Sequence, residues 1–229
     1  MNKNLAAVIV AGGTGSRMGG DVPKQFLKIN GKEILSHTLS VFDNCDFVDK
    51  IIIVCHKDFL DLCKDLSQGI KKEVVVVKGG KTRQESVFCG IREISDFKYV
   101  LVHDAVRCLV EVTHIKKLYN EILNGNSCTL AVKVKDTIKE ADENNLVTNT
   151  PERSKLWQIQ TPQAFLTDEL LSAHEYAVKD GFEGTDDCSV MEHFGKKTVL
   201  VEGSYKNIKI TTKSDMEIAK VFMKGSENE

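Results

Sequence analysis

Short, almost wholly apolar runs alternate along this chain with longer stretches of helical period. Residues 5–10, 51–55, 74–77 and 99–102 form runs rich in β-branched side chains. Continuous rather than alternating hydrophobicity marks a strand covered on both faces, so these segments predict buried parallel strands. Amphipathic segments follow them. In the clearest, Ile115, Leu118, Tyr119, Ile122 and Leu123 recur at three- and four-residue spacing, with Thr113 placed to cap the start. A second carries Ile218, Val221 and Phe222 behind Ser214-x-x-Glu217, the pattern of a capping box. Strands alternating with helices predict an α/β protein with a mostly parallel sheet.

Residues 132–156 break the rhythm. Apolar and polar positions alternate, turn through Asp142-Glu143-Asn144-Asn145 and resume, which predicts a hairpin. Its flanks are charged (Lys133, Lys135, Lys139, Glu140, Glu152), and a two-stranded hairpin is barely stable alone. Two readings stand: a loose excursion, or an arm that packs on another subunit. With no repeat and no Pro/Gly/Ser-rich linker, residues 1–229 are expected to form one domain.

Composition narrows the partners. A net charge of −2 argues against nucleic acid, whose binders carry a basic face. Seven cysteines, none in a C-x-x-C pair and several in apolar surroundings, argue against a disulfide framework or a zinc site and for a reducing, cytoplasmic setting. The first apolar run, about six residues, is too short for a signal peptide or a membrane span, so no membrane partner is expected.

The candidate chemistry begins where the first strand ends, in Ala11-Gly12-Gly13-Thr14-Gly15-Ser16-Arg17-Met18. Glycines let backbone amides approach an anion, and a following helix would aim its positive end there. Arg17 and then Lys24, in Pro23-Lys24-Gln25-Phe26, add two cations suited to a triphosphate. A dinucleotide fingerprint would need glycine where Met18 stands, and no window matches a Walker loop. The plainer alternative is a tight strand-to-helix turn.

The ordered set of motifs is more specific than any one of them. After the glycine loop come Gly79-Gly80-Lys81-Thr82-Arg83-Gln84-Glu85-Ser86, His103-Asp104-Ala105-Val106-Arg107 and Asp136-Thr137-Ile138-Lys139. Thr161-Pro162-Gln163, Thr185-Asp186-Asp187 and Asn207-Ile208-Lys209-Ile210-Thr211 complete it. This series resembles the 2-C-methyl-D-erythritol 4-phosphate cytidylyltransferases, within the sugar-phosphate nucleotidyltransferases. The resemblance implies a Rossmann-like three-layer fold with a protruding β-hairpin arm, and transfer of CMP from CTP to a polyol phosphate with Mg²⁺ as cofactor.

It also implies roles. Arg17 and Lys24 would stabilise the reacting α-phosphorus, with Ala11, Gly12, Gly13 and Gly15 as the phosphate loop. Gly80, Lys81 and Ser86 would read the cytosine edge. Asp104 and Ala105 would meet the ribose, with Asp104 also a candidate metal ligand. Arg107, Thr137, Arg153, Thr185 and Lys209 would hold the acceptor, Arg153 and Lys209 also counting as catalytic. Judged by composition alone, Arg153 and Lys209 read as surface cations. The family's arm reaches a neighbouring subunit, which implies a homodimer. Where the family usually has proline after Arg107, this chain has Cys108.

Two rivals remain. Ribitol-5-phosphate cytidylyltransferases share the loop, the His103–Arg107 segment and Thr161-Pro162-Gln163, although Glu183-Gly184-Thr185-Asp186-Asp187 and Glu202-Gly203-Ser204-Tyr205-Lys206-Asn207 look more like the methylerythritol enzymes. A non-catalytic nucleotide-binding module would be expected to have lost some of Arg17, Lys24, Asp104, Arg107 and Lys209, and all are present.

Overall fold

The computed structural model describes residues 4–13 and 22–225. Its frame is a seven-stranded sheet. The elements run β1 (Leu5–Ala11), β2 (Lys28–Ile29), β3 (Lys32–Glu33), α1 (Ile34–Asp43), β4 (Lys50–Cys55), α2 (Leu60–Leu66), β5 (Glu73–Lys78), α3 (Arg83–Arg92) and β6 (Tyr99–Asp104). They continue with α4 (Val112–Leu123), β7 (Cys128–Lys133), β8 (Glu140–Ala141), β9 (Val147–Asn149), β10 (Trp157–Leu166), α5 (Thr167–Asp180), α6 (Asp187–His193), β11 (Val199–Glu202) and α7 (Lys213–Gly225). The sheet order is β11-β7-β10-β6-β1-β4-β5.

The four apolar runs become β1, β4, β5 and β6, all parallel to their neighbours among themselves. Residues Leu5 to Ile9 are wholly buried, as a central strand requires. Alternate side chains feed the two faces. Ala7 and Ile9 pack with Leu35 and Leu39 of α1 and Ile115 and Leu118 of α4. Ala6 and Val8 pack with Val87 and Ile91 of α3 and Leu170 and Ala173 of α5. Helices therefore cover both faces, giving the three layers expected. β5 differs from the expectation: as the edge strand its valines are only half-buried.

One strand departs from the parallel scheme. β10 lies between β6 and β7 and runs antiparallel to both. It inserts a polar stretch, Gln160 to Gln163 with a cis Thr161–Pro162 bond, into the middle of the sheet.

The predicted hairpin is present as the β8–β9 pair. Asp142 Oδ1 accepts from the N–H groups of Asn144 and Leu146, both at 2.9 Å, and Asn145 takes a left-handed φ of 62°. Asp and Asn favour such turns because their short side chains bond the local backbone. The arm starts later than predicted, since Val132 and Lys133 belong to β7, and residues 135–150 are exposed.

Two helix caps are corrected. α4 begins after Glu111, so Thr113 is inside the helix rather than its cap. α7 begins before Ser214. Its reciprocal box is formed instead by Thr212 and Asp215: Asp215 N–H donates to Thr212 Oγ1 (3.2 Å), and Thr212 N–H to Asp215 Oδ2 (2.8 Å). Both boxes satisfy the same four-residue pattern, and packing of Ala219 into the third apolar cluster accompanies this register. Among the described residues no helix is long and apolar enough to cross a membrane.

Candidate active site

In open α/β sheets the ligand crevice lies beyond the carboxyl ends of the parallel strands. Here the ends of β1, β5 and β6 border a cavity of about 340 Å³. Ala11, Gly12 and Gly13 form one wall, Gly80, Lys81 and Ser86 another, and Lys24 and Asp104 also line it. Gly15 and Arg17 lie outside the described residues.

Gln25, which has no role assigned from the sequence, and Ser86, expected at the cytosine edge, shape this cavity. Gln25, 2 % exposed, donates from Nε2 to the carbonyls of Ala11 (2.6 Å) and Gly13 (2.9 Å), fixing the strand end against the turn that carries Lys24. Ser86, on the first turn of α3, accepts from the Gly80 N–H (3.2 Å) and donates to the Thr82 carbonyl (2.8 Å). Lys81 N–H donates to Glu85 Oε2 at 2.6 Å. The loop is pulled so tightly against α3 that a Cβ on Gly79 would lie 2.7 Å from Ser86 Oγ. Ala105 is buried behind the cavity: its N–H donates to Val10 (3.0 Å) and its carbonyl accepts from Thr38 Oγ1 (2.7 Å).

A second cavity, of about 450 Å³, opens on the far side of Asp104. Arg107, Thr185 and Lys209 line it, with Thr161 and Gln163 of β10. Asp104, Arg83 and Lys209 border both cavities. Arg83 Nε reaches Asp104 Oδ1 at 3.3 Å and Lys209 Nζ reaches Oδ2 at 2.8 Å, with Arg107 Nε at 3.8 Å. Burial opposes ionisation of Asp104, but Arg83, Lys209 and Arg107 outweigh it and hold the carboxyl well below the usual carboxylate range. Arg107 is itself lowered, since burial and the nearby Arg83 exceed the attraction of Asp104. Its Nη1 is braced on the Asn207 carbonyl at 2.9 Å.

His103 is structural. Its Nε2 faces the Arg107 carbonyl (3.2 Å) and its Nδ1 the Thr161 hydroxyl (3.0 Å), which also accepts from Asp104 N–H (3.0 Å). A hydroxyl that accepts there has its own proton for Nδ1, so the ring is neutral and protonated on Nε2. Burial pushes its pKa down to about 3. Cys108, buried in an apolar cluster, stands beside Arg107, and burial raises its thiol to about 12.

Thr137 and Arg153 are not brought to either cavity. Both are exposed on or beside the arm, and Arg153 Nη1 donates to the Lys135 carbonyl at 3.0 Å. Gln163, Asp187 and Arg83 were not assigned roles from the sequence. Gln163 is wholly buried, accepts from the N–H groups of Asp187 and Cys188, and donates to Asp186. Asp187 receives Arg83 Nη1 at 2.8 Å. Only their place inside quoted motifs marked them.

Among the described residues no three His, Cys, Asp or Glu side chains cluster as ligands, and both Asp104 oxygens already face cations. That does not fit an all-protein cage. It does fit a Mg²⁺ ion carried on phosphate oxygens, as this ion commonly is.

A glycine-lined strand end opening onto lysine and arginine, on a three-layer α/β sheet, suits the phosphates of a nucleotide. The sequence matches the profile described as 2-C-methyl-D-erythritol 4-phosphate cytidylyltransferase (IspD) over residues 5–225. The enzyme of that name from Lachnospira eligens is 39 % identical over 224 residues, 96 % of this chain and 99 % of that one. The crystal structure of 4-diphosphocytidyl-2C-methyl-D-erythritol synthase from Anaerococcus prevotii superposes with a TM-score of 0.87 at 32 % identity, covering 97 % of both chains. The Francisella tularensis 2-C-methyl-D-erythritol 4-phosphate cytidylyltransferase superposes at 0.82 with 34 % identity, over 95 % of this chain and 99 % of that one. The chain belongs to the 2-C-methyl-D-erythritol 4-phosphate cytidylyltransferase family.

Proposed function

We propose that this chain transfers CMP from CTP to 2-C-methyl-D-erythritol 4-phosphate, releasing pyrophosphate and forming 4-diphosphocytidyl-2-C-methyl-D-erythritol for isoprenoid precursor synthesis. The observation that carries this reading is the pair of cavities meeting at Asp104, Arg83 and Lys209, one backed by glycines and the other by cations. Two polyanions are to be joined, and that layout offers each its own chamber with a shared charged wall.

A phosphate monoester is largely dianionic near neutral pH and needs no general base. An acceptor oxygen attacks the α-phosphorus in line, the bond to the bridging oxygen breaks, and that oxygen leaves with pyrophosphate. Catalysis of this kind is mostly positioning and charge stabilisation. Lys24, with Arg17, stabilises charge on the α-phosphoryl group. Gly80 and Lys81 have their N–H groups bonded to Ser86 and Glu85, so their carbonyls are the groups that would accept from cytosine's amine. Asp104 orients the ribose side, while Arg107, Lys209 and Thr185 hold the acceptor. A Mg²⁺ ion carried on the triphosphate, beside Asp104, would supply further neutralisation of phosphate charge.

The chain acts as one domain and as a homodimer, the arm carrying Thr137 and Arg153 to the acceptor site of the other subunit. Their separation from both cavities in the single chain supports this. The deciding experiment is pyrophosphate release with CTP across a panel of polyol phosphates. The methylerythritol phosphate should give the highest kcat/KM. A preference for ribitol 5-phosphate would replace the acceptor, and release with none would overturn the reading.

A further inference from the structure

The two cavities are joined by more than a shared wall. Arg83 is the first residue of α3, whose opening turn also carries Ser86 of the nucleotide loop. Its guanidinium spans two carboxylates from different parts of the chain: Nε to Asp104 at the end of β6 and Nη1 to Asp187 at the start of α6. Asp187 is 1 % exposed, and its N–H is held by Gln163 Oε1 at 3.0 Å, so this anchor is fixed in the sheet. Arg83 Nη2 is buried with no hydrogen bond among the described residues, leaving the guanidinium's bonds on the two carboxylates. The next residue reaches the same neighbourhood: Gln84 Nε2 donates to the Phe182 carbonyl (3.0 Å) and Gln84 Oε1 accepts from Gly184 N–H (2.8 Å). Those contacts hold the segment that leads into Thr185.

We propose that Arg83 is a positioning residue for the transfer reaction, holding Asp104 and the Thr185–Asp187 segment in fixed relation so that nucleotide and acceptor are aligned. This rests on the proposed function. A planar fork can grip two carboxylates in set directions, whereas lysine offers a point charge. Charge alone is therefore not the device. The device is the span.

The test uses the full chain, pyrophosphate release with whichever polyol phosphate the wild-type protein turns over, calorimetric CTP titration, and circular dichroism for fold. Arg83→Lys and Asp187→Asn should each lower kcat about 10- to 100-fold, the scale of an ångström-level misplacement. CTP affinity should fall by no more than about threefold, because the base-reading contacts at Gly80, Lys81 and Ser86 are untouched. The double variant should fall no further than the worse single one, as expected when both break one link. Losses that multiply, kcat near wild type in either single variant, or a loss explained by weaker CTP binding would overturn the proposal. If Asp187→Asn does not fold, Arg83→Lys and Arg83→Gln decide the matter. Both should remain at least about tenfold impaired, and full rescue by lysine would overturn the proposal. A wild-type protein inactive with every acceptor removes the reaction and this proposal with it. An active wild type with unaffected variants removes the positioning role alone.

Discussion

Lys209 Nζ lies 2.8 Å from Asp104 Oδ2, so a cation from the C-terminal segment closes on the end of the sheet's β6. The segment is held there by Asn207, wholly buried, whose Nδ2 donates to the Thr161 carbonyl at 3.0 Å. Lys209→Met keeps the stem and removes the charge. It should lower kcat/KM for the acceptor by about two orders of magnitude, the cost of one lost charge-stabilising donor. Steady-state kinetics with varied acceptor checks this, and a change under about threefold would remove Lys209 from the acceptor site.

Lys24→Ala and Arg17→Ala are each expected to lose at least about two orders of magnitude in kcat, again the scale of one transition-state donor. Far-ultraviolet circular dichroism should not change. Turnover close to wild type in either variant would dismiss that residue.

Nucleotide choice depends on the Gly80 turn. A Cβ on Gly80 would crowd Glu85, coming 2.6 Å from its Oε2, the atom that holds the Lys81 N–H. The wild-type protein should strongly prefer CTP to UTP, since the wrong base leaves buried polar groups unpaired. Gly80→Ala should shrink that preference at least about tenfold, the worth of one mispaired group. Equal kcat/KM for CTP and UTP in the wild type would contradict the assigned base site.

Acid should destabilise the fold in two stages. His103 has its pKa lowered by burial to about 3 in the folded chain. The unfolded chain therefore takes up this proton first, and the neutral ring's contribution, complete above about pH 6.5, fades as pH falls. Asp104 and Asp187 are held below their ordinary range by their cations, against burial, so a further loss begins near pH 4. Urea unfolding of wild type and His103→Gln between pH 7.5 and 4.5 isolates the first stage. The wild type should lose up to about 1.4 kcal/mol per pH unit more than the variant over the lower part of that range. Parallel slopes would mean His103 does not titrate as placed.

The arm is tested by mixing two inactive variants, Lys24→Ala and Arg153→Ala, under subunit exchange. If Arg153 serves the partner's site, each mixed dimer rebuilds one intact site. Random exchange makes about half the dimers mixed, so roughly a quarter of wild-type activity should return. Recovery of none would place Arg153 in its own chain's site.

The parts of the fold visible beforehand were those set by local pattern. The uninterrupted apolar runs of β1, β4 and β6 need cover on both faces, and they received it, whereas β5 at the sheet edge is covered only in part. β10 stayed hidden because Gln158, Gln160 and Gln163 give it no apolar signature, and its place between β6 and β7 is a long-range choice. The cap of α7 was misread because Ser214–Glu217 and Thr212–Asp215 both satisfy one spacing rule. At the site, glycines and strand ends pointed to the nucleotide cavity, whereas the link from Arg83 to Asp187 joins segments that only folding makes neighbours. The separation of Thr137 and Arg153 from the cavities needs the whole chain in three dimensions to be seen.

The uneven charge of the site has a consequence for encounter rates. The chain carries a net charge of −2, so at long range it offers polyanions no attraction. Around the nucleotide cavity, Lys24, Lys81, Arg83 and Lys209 outnumber Asp104, whereas in the second cavity Arg83, Arg107 and Lys209 are matched by Asp104, Asp186 and Glu192. In 0.1 M salt such a field extends about 10 Å before counter-ions blunt it. Capture of CTP is thus governed over the last few water layers, where raised ionic strength slows arrival at the mouth while leaving the bound geometry as it was.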